Sequence, residues 1–238
     1  MNKYSDYFVK SLEGHGIVLS DLQLLQFDNY AKLLIEWNNK MNLTAILDLE
    51  DIYEKHFLDS ILPSFYYKIE GKLCDVGAGA GFPSLPLKII YPELEVTIVE
   101  PLGKRCLFLN EVVKQLKLNN VTIANERSED YVKLHREEFD IVSARAVANL
   151  AVLSELCIPL VKMNGTFLAL KGMHGDEEYN VAKKAIDILG CELIKRYEYK
   201  LSDDSLRINF AFKKIKHTAI KYPRVYGKIK KSPLGGNI

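Results

Sequence analysis

From Lys72 onward the chain alternates between two hydrophobic rhythms. Short runs rich in β-branched and aromatic residues, "KLCDV", "EVTIVE", "VTIAN", "FDIVSAR" and "TFLALKG", read as strands. Between them, "SLPLKII", "KRCLFLNEVVKQL", "SEDYVKLH", "NLAVLSELCIPLV" and "DEEYNVAKKAIDIL" read as helices. This alternation predicts a parallel sheet with helices on both faces. Two further strands, "CELIKRYEYKL" and "SLRINFAFKKI", are separated by a short loop at Asp203 and Asp204, so the far edge is predicted to be an antiparallel hairpin. The fold class is therefore α/β, a doubly wound, Rossmann-like sheet of seven strands. Ahead of it, Ser20 and Gln23 form a capping box, and Leu22, Leu25, Tyr30, Leu33, Leu34, Trp37 and Met41 predict one apolar helix face. A second helix is expected over "DLEDIYEKHFLDSIL", from Asp48 or Glu50 to Leu62, stopped by Pro63. The expected division is a helical cap over 1–64, a main domain over 65–215 and a tail over 216–238.

Composition narrows this picture. The chain has 238 residues, 48% of them hydrophobic, enough for one sizeable core. No apolar run approaches the roughly 20 residues of a membrane span, and the N-terminus lacks a secretory profile, so a cytoplasmic protein with no membrane partner is expected. Cys74, Cys106, Cys157 and Cys191 are scattered without metal-ligand spacing, and neither a metal nor a disulfide framework is expected. The net charge is only +1, yet from Lys213 to the end there is no acid, and Tyr222 and Tyr226 interrupt a basic run. That composition suits an arm lying on a polyanion, with Lys221, Arg224, Lys228, Lys230 and Lys231 as candidate contacts; a solvated tail is the competing reading.

The chemistry centres on "DVGAGAGF", where a strand ends in an acid and three glycines follow two apart. A dinucleotide loop has the spacing G-x-G-x-x-G, and here Gly81 comes one residue early, with Phe82 in the last glycine's place. Asp75 before Gly77, Gly79 and Gly81 would oppose a pyrophosphate. It suits S-adenosylmethionine, which carries a sulfonium, an ammonium and one carboxylate. Glu100 at the next strand end marks a ribose, and Ser128 with Glu129 stands where an adenine edge is expected. After the fourth strand "SARAVAN" replaces the Asn- or Asp-Pro-Pro-aromatic motif of exocyclic-amine methylation, and no cysteine is placed for pyrimidine C5 chemistry. An acceptor with a free lone pair, such as guanine N7, remains. Arg145 and Lys171 at the ends of the fourth and fifth strands are candidates for positioning it, with an ion pair to Glu129 or Asp140 as the alternative for Arg145. A nicotinamide-dependent oxidoreductase and a non-catalytic RNA-binding protein on the same fold stay open as rival readings.

The stretches "WNNKMNLTA", "HFLDS", "DVGAGAGFPSLPLKI", "KRCLFLNEV", "SARAVANL", "LALKG" and "YPRVYGKIKKSPL", in this order, resemble the bacterial small-subunit ribosomal RNA methyltransferase G family over nearly the whole chain. The resemblance implies the class I S-adenosylmethionine-dependent methyltransferase fold and methylation of guanine N7 in small-subunit rRNA; naked rRNA and an assembling subunit both stay open as the substrate, and a monomer is expected. It implies cofactor contacts at Gly77, Phe82, the Glu100 region, Ser128, Glu129 and Arg145, and it sets His56 and Asp59 above the cofactor cleft, His56 being a further candidate for positioning substrate. One departure is visible: Ser84 stands where the family usually has Gly.

Overall fold

Adjacent residues of a strand point to opposite faces of its sheet, and this chain buries both faces. The computed structural model describes residues 5–235; the ends of the N-terminal cap and of the basic tail, 1–4 and 236–238, lie outside the described residues. Its strands are β1 (Lys72–Val76), β2 (Glu95–Val99), β3 (Val121–Ala124), β4 (Phe139–Arg145), β5 (Val161–Gly172), β6 (Cys191–Lys200) and β7 (Leu206–Lys214), in the spatial order β3-β2-β1-β4-β5-β7-β6. The first five are parallel, and β7 runs antiparallel to both β5 and β6. The doubly wound sheet of seven strands with an antiparallel edge is thus the one the alternation predicts. Strand order reverses beside β1, which opens a crevice at the carboxyl ends of β1 and β4.

The helices are α1 (Ser5–Glu13), α2 (Asp21–Met41), α3 (Leu49–Asp51), α4 (Asp59–Ile61), α5 (Ser84–Ile90), α6 (Gly103–Gln115), α7 (Ser128–Tyr131), α8 (Leu150–Cys157), α9 (Gly175–Leu189) and α10 (Tyr226–Lys231). On one face, Leu73, Ile98, Ile141, Leu168 and Ala211 share a core with Phe8 of α1, Phe27, Tyr30 and Leu34 of α2, and Phe108 of α6. On the other, Cys74, Val142, Phe167, Phe210 and Phe212 pack with Leu153 and Leu156 of α8, Ile186 of α9 and Ile229 of α10. The N-terminal helices therefore form part of a layer of the sandwich and act as a buttress.

Three local expectations need correction. The Ser20–Gln23 capping box starts α2 as predicted, but its buried face is Phe27, Tyr30, Ala31, Leu34 and Asn38, while Leu22 and Leu25 are exposed. Tyr30 and Leu34 belong to the predicted face, and its Leu33, Trp37 and Met41 are partly buried against the same core, so the correction is confined to the start of the helix. The second helix is not uniform: α3 passes into a π-helical stretch, Ile52–Leu58, then α4, and a 3-10 turn carries on through Pro63 to Phe65. Pro63 enters that turn instead of stopping the helix, since a proline near a helical N-terminus lacks only a donor that has no partner there. The tail is no free arm either. Ile229 is fully buried, and the Arg136 guanidinium donates to the Tyr222 carbonyl at 2.5 Å, so the segment is laid along the sheet's second face.

Candidate active site

The glycine loop follows β1 at the crevice. Gly77 adopts φ +71°, donates its N–H to the Val99 carbonyl at 2.8 Å, and would bring a Cβ to within 2.9 Å of Val147. Gly81, at φ +96°, is kept bare by the chain itself: a Cβ there would stand 2.5 Å from the Tyr30 hydroxyl and 2.6 Å from Leu85. Tyr30 donates that hydroxyl to the Ala80 carbonyl, so α2 reaches through the core to hold the loop.

Asp75 is the main correction at this site. The sequence places its carboxylate at the loop's mouth, but it is fully buried behind the loop, accepting from the Ser84 backbone N–H at 3.1 Å and the Ser143 hydroxyl at 3.2 Å. Burial pushes its pKa up to about 7, against the opposing pull of Ser84, Ser143 and Arg145. Its visible role is to tie the loop's exit into α5 to β4. Ser84, the departure noted above, is fully buried and takes part through its backbone.

A cavity of ≈ 800 Å³ opens beside the loop, lined by Gly77, Glu100, Arg105, Asn125, Ser128, Glu129, Ala146 and Tyr226 among others. That volume is in the range of cofactor sites. Glu100 is 1% exposed and accepts from the backbone N–H groups of Gly79 at 3.1 Å and Leu102 at 3.0 Å, which fixes both oxygens while leaving each a further lone pair. Ser128 is not the N-cap of α7; that position is Arg127, and the Ser128 hydroxyl donates to the Leu156 carbonyl at 2.6 Å. Glu129 is half-buried on the same wall. Asp75, Gly79, Gly81 and Phe82 do not line this cavity.

A second cavity, ≈ 370 Å³, adjoins the first, and Ala146 lines both. Here the structure brings together His56, Asp59, Arg145 and Lys171 with residues the sequence reading did not single out, Tyr199, Arg207 and Glu178. Arg145 is not paired with Glu129 or Asp140. Its guanidinium donates to Asp59 at 3.2 Å, to the Lys55 carbonyl at 3.1 Å and to Nδ1 of His56 at 3.2 Å, and lies 5.0 Å over the Phe82 ring. Asp59 also accepts from Arg207 at 3.1 and 3.2 Å and from the Tyr199 hydroxyl at 3.0 Å. Lys171 is held by Glu178 at 2.7 Å and by the Ala148 carbonyl.

His56 stacks on Phe82, ring centroids 4.4 Å apart. A guanidinium only donates, so Nδ1 must accept from Arg145, and the ring proton sits on Nε2, directed to the Thr44 hydroxyl at 2.9 Å. Burial, reinforced by the Arg145 charge, lowers its pKa to about 3, and both ring nitrogens are committed.

On the basic tail, Lys221, Lys228, Lys230 and Lys231 are exposed, as an RNA-facing surface requires. Arg224 is withdrawn from that set. Its guanidinium and backbone N–H clamp Glu155 of α8 at 2.6–2.9 Å, a carboxylate with no solvent exposure. Two charges at that distance satisfy each other, and the geometry is bidentate.

Among solved structures, the fold is similar to Pyrococcus horikoshii TYW2 in complex with MeSAdo (TM-score 0.54, 14% identity, 66% of this chain and 62% of that one). It is also similar to a 16S rRNA (adenine(1408)-N(1))-methyltransferase from Catenulisporales acidiphilia (TM-score 0.51, 13% identity, 64% and 86%). These likenesses show the fold of the class I, S-adenosylmethionine-dependent methyltransferases. A family model described as rRNA small subunit methyltransferase G matches residues 23–205. A ribosomal RNA small subunit methyltransferase G of Lysinibacillus sphaericus is 51% identical over 232 residues, 95% of this chain and 98% of its own. That of Staphylococcus epidermidis is 52% identical over 233 residues, 96% and 98%. The chain belongs to the rRNA small subunit methyltransferase G family, an outcome that favours neither the oxidoreductase nor the non-catalytic reading.

Proposed function

We propose that this enzyme transfers a methyl group to N7 of a guanine in small-subunit (16S) rRNA, the larger cavity holding S-adenosylmethionine and the smaller one the base. The observation that carries this reading is the meeting of the two cavities at Ala146, at the strand-order reversal where such folds bind ligands.

The residues present fit the cofactor. Glu100 offers two fixed carboxylate oxygens to a ribose diol, the wall of Ser128 and Glu129 suits an adenine edge, and the Gly77 backbone gives close approach. Gly79 serves by holding Glu100, and Gly81 by admitting Tyr30. Arg145, which stacks over Phe82 and lines the smaller cavity next to the shared Ala146, is the candidate for a methionine carboxylate. When bound, the cofactor supplies an electrophilic methyl group on a sulfonium.

For the acceptor, this chain's own residues bind, orient and exclude water. Guanine N7 has an exposed lone pair and no proton to lose, so no general base is required. The second cavity agrees: His56 has no free nitrogen lone pair, Asp59 is occupied by three donors, and Glu178 is paired. The four cysteines are free and buried, which disfavours a thiol nucleophile. Arg145, Arg207 and Lys171 leave the pocket with an excess of positive charge for base oxygens or a flanking phosphate. Lys221, Lys228, Lys230 and Lys231 hold the rRNA backbone outside it. The protein acts as a cytoplasmic monomer; free thiols and a sheet covered on both faces by its own helices support this.

Mass spectrometry of nucleosides from small-subunit rRNA tests the reading. Cells lacking the gene should lose one 7-methylguanosine, restored by the wild-type protein; unchanged 7-methylguanosine rejects the assignment.

A further inference from the structure

The C-terminal segment, which lies beyond residue 205 where the family model's match ends, reaches the larger cavity. Tyr226, the first residue of α10, lines the cavity together with Asn125, Ser128, Glu129 and Leu156. It is held there by three independent contacts. Arg224 clamps the buried Glu155 of α8, Ile229 is fully buried against the sheet's second face, and the Arg127 guanidinium lies 5.8 Å over the Tyr226 ring. α8 thus serves both sides: Leu156 lines the cavity and accepts the Ser128 hydroxyl, while the residue before it anchors the tail.

We propose that Tyr226 is a cofactor contact, its ring closing the adenine end of the cavity, so that the C-terminal segment belongs to the donor site and is further stabilised when the donor binds. This rests on the assignment of that cavity to S-adenosylmethionine. An adenine ring is a flat π surface, and an aromatic wall gives it stacking area at little cost in side-chain freedom. Ser128 and Glu129 flank the same end, so edge and face of one base would be met by groups already adjacent. The exposed lysines 228, 230 and 231 then ride on the helix that completes the donor site.

Calorimetric titration with S-adenosylhomocysteine, the demethylated product, tests this without turnover. Tyr226→Ala should weaken binding about tenfold and Tyr226→Phe less than about twofold, as base stacking on a ring would require. Glu100→Ala, which removes the proposed ribose contact, should weaken it as well. In the wild-type protein the ligand should slow amide exchange over residues 225–231, a readout that stands even where Tyr226→Ala folds poorly. Wild-type affinity in Tyr226→Ala, or unchanged exchange over 225–231, overturns the role of Tyr226 while Glu100→Ala remains weakened. Wild-type affinity in Glu100→Ala overturns the cavity assignment itself, and the inference with it.

Discussion

Asp59 gathers Arg145, Arg207 and Tyr199 from three strands, and through Arg145 it sets the state of His56. A ring caught between a guanidinium and an apolar stack stays neutral, with a consequence for stability. The folded pKa of about 3 lies below the ordinary 6.5, so stability is full above pH 6.5 and falls as the unfolded chain takes up a proton the folded ring refuses. At pH 5 the loss is about 2 kcal/mol from this residue. Relative to wild type, His56→Gln should gain about 2 kcal/mol of stability on going from pH 7.5 to pH 5, Asp75 contributing equally to both proteins; an unchanged difference would place His56 in water. Glu100, Ser128 and Glu129 were legible in the sequence because each follows a strand end by a short, fixed offset. Asp59 was legible only as a position. Its partners lie 86 and 148 residues away, and no local pattern links a helix carboxylate to two strand-borne arginines.

Among the elements, α10 and the loop before it show how composition can mislead. An acid-free, lysine-rich run is the signature of a polyanion-binding arm, yet one of its cations, Arg224, neutralises a buried glutamate on α8. Two kinds of basic residue are thus mixed in one segment, and substitution should separate them. Replacing Lys228, Lys230 and Lys231 by Ala should lower the slope of log affinity for rRNA against log salt by about 2 to 3, roughly one phosphate each, with little change in melting temperature. Arg224→Ala should do the reverse: it leaves the buried Glu155 without its charged partner, holding only the backbone N–H of residue 224, at a cost of about 3 kcal/mol, and leaves the salt slope alone. Identical salt slopes in the triple variant and the wild type would remove the helix from the RNA surface. The strands and most helices were readable because their periodicities are long. The π-helical stretch at Ile52–Leu58 was not, because one extra residue per turn leaves no mark on an apolar stripe.

For the whole molecule, the N-terminal helices and the sheet share one core, so they should melt together. Trp37, the only tryptophan, sits on α2 with its ring 5.7 Å from that of Phe108 on α6, so its fluorescence reports their docking. Its thermal transition should coincide with loss of far-UV circular dichroism; two separated transitions would make the N-terminal helices an independent unit. The proposed function too is a property of the assembled sheet, since the cavities assigned above to donor and acceptor arise from different strand ends and share one small side chain, Ala146. Ala146→Leu, measured for methyl transfer from S-adenosylmethionine to small-subunit rRNA, tests that junction most directly. The account predicts transfer about a hundredfold slower with affinity for S-adenosylhomocysteine retained, because the added atoms part the reacting groups. Transfer at the wild-type rate would contradict it.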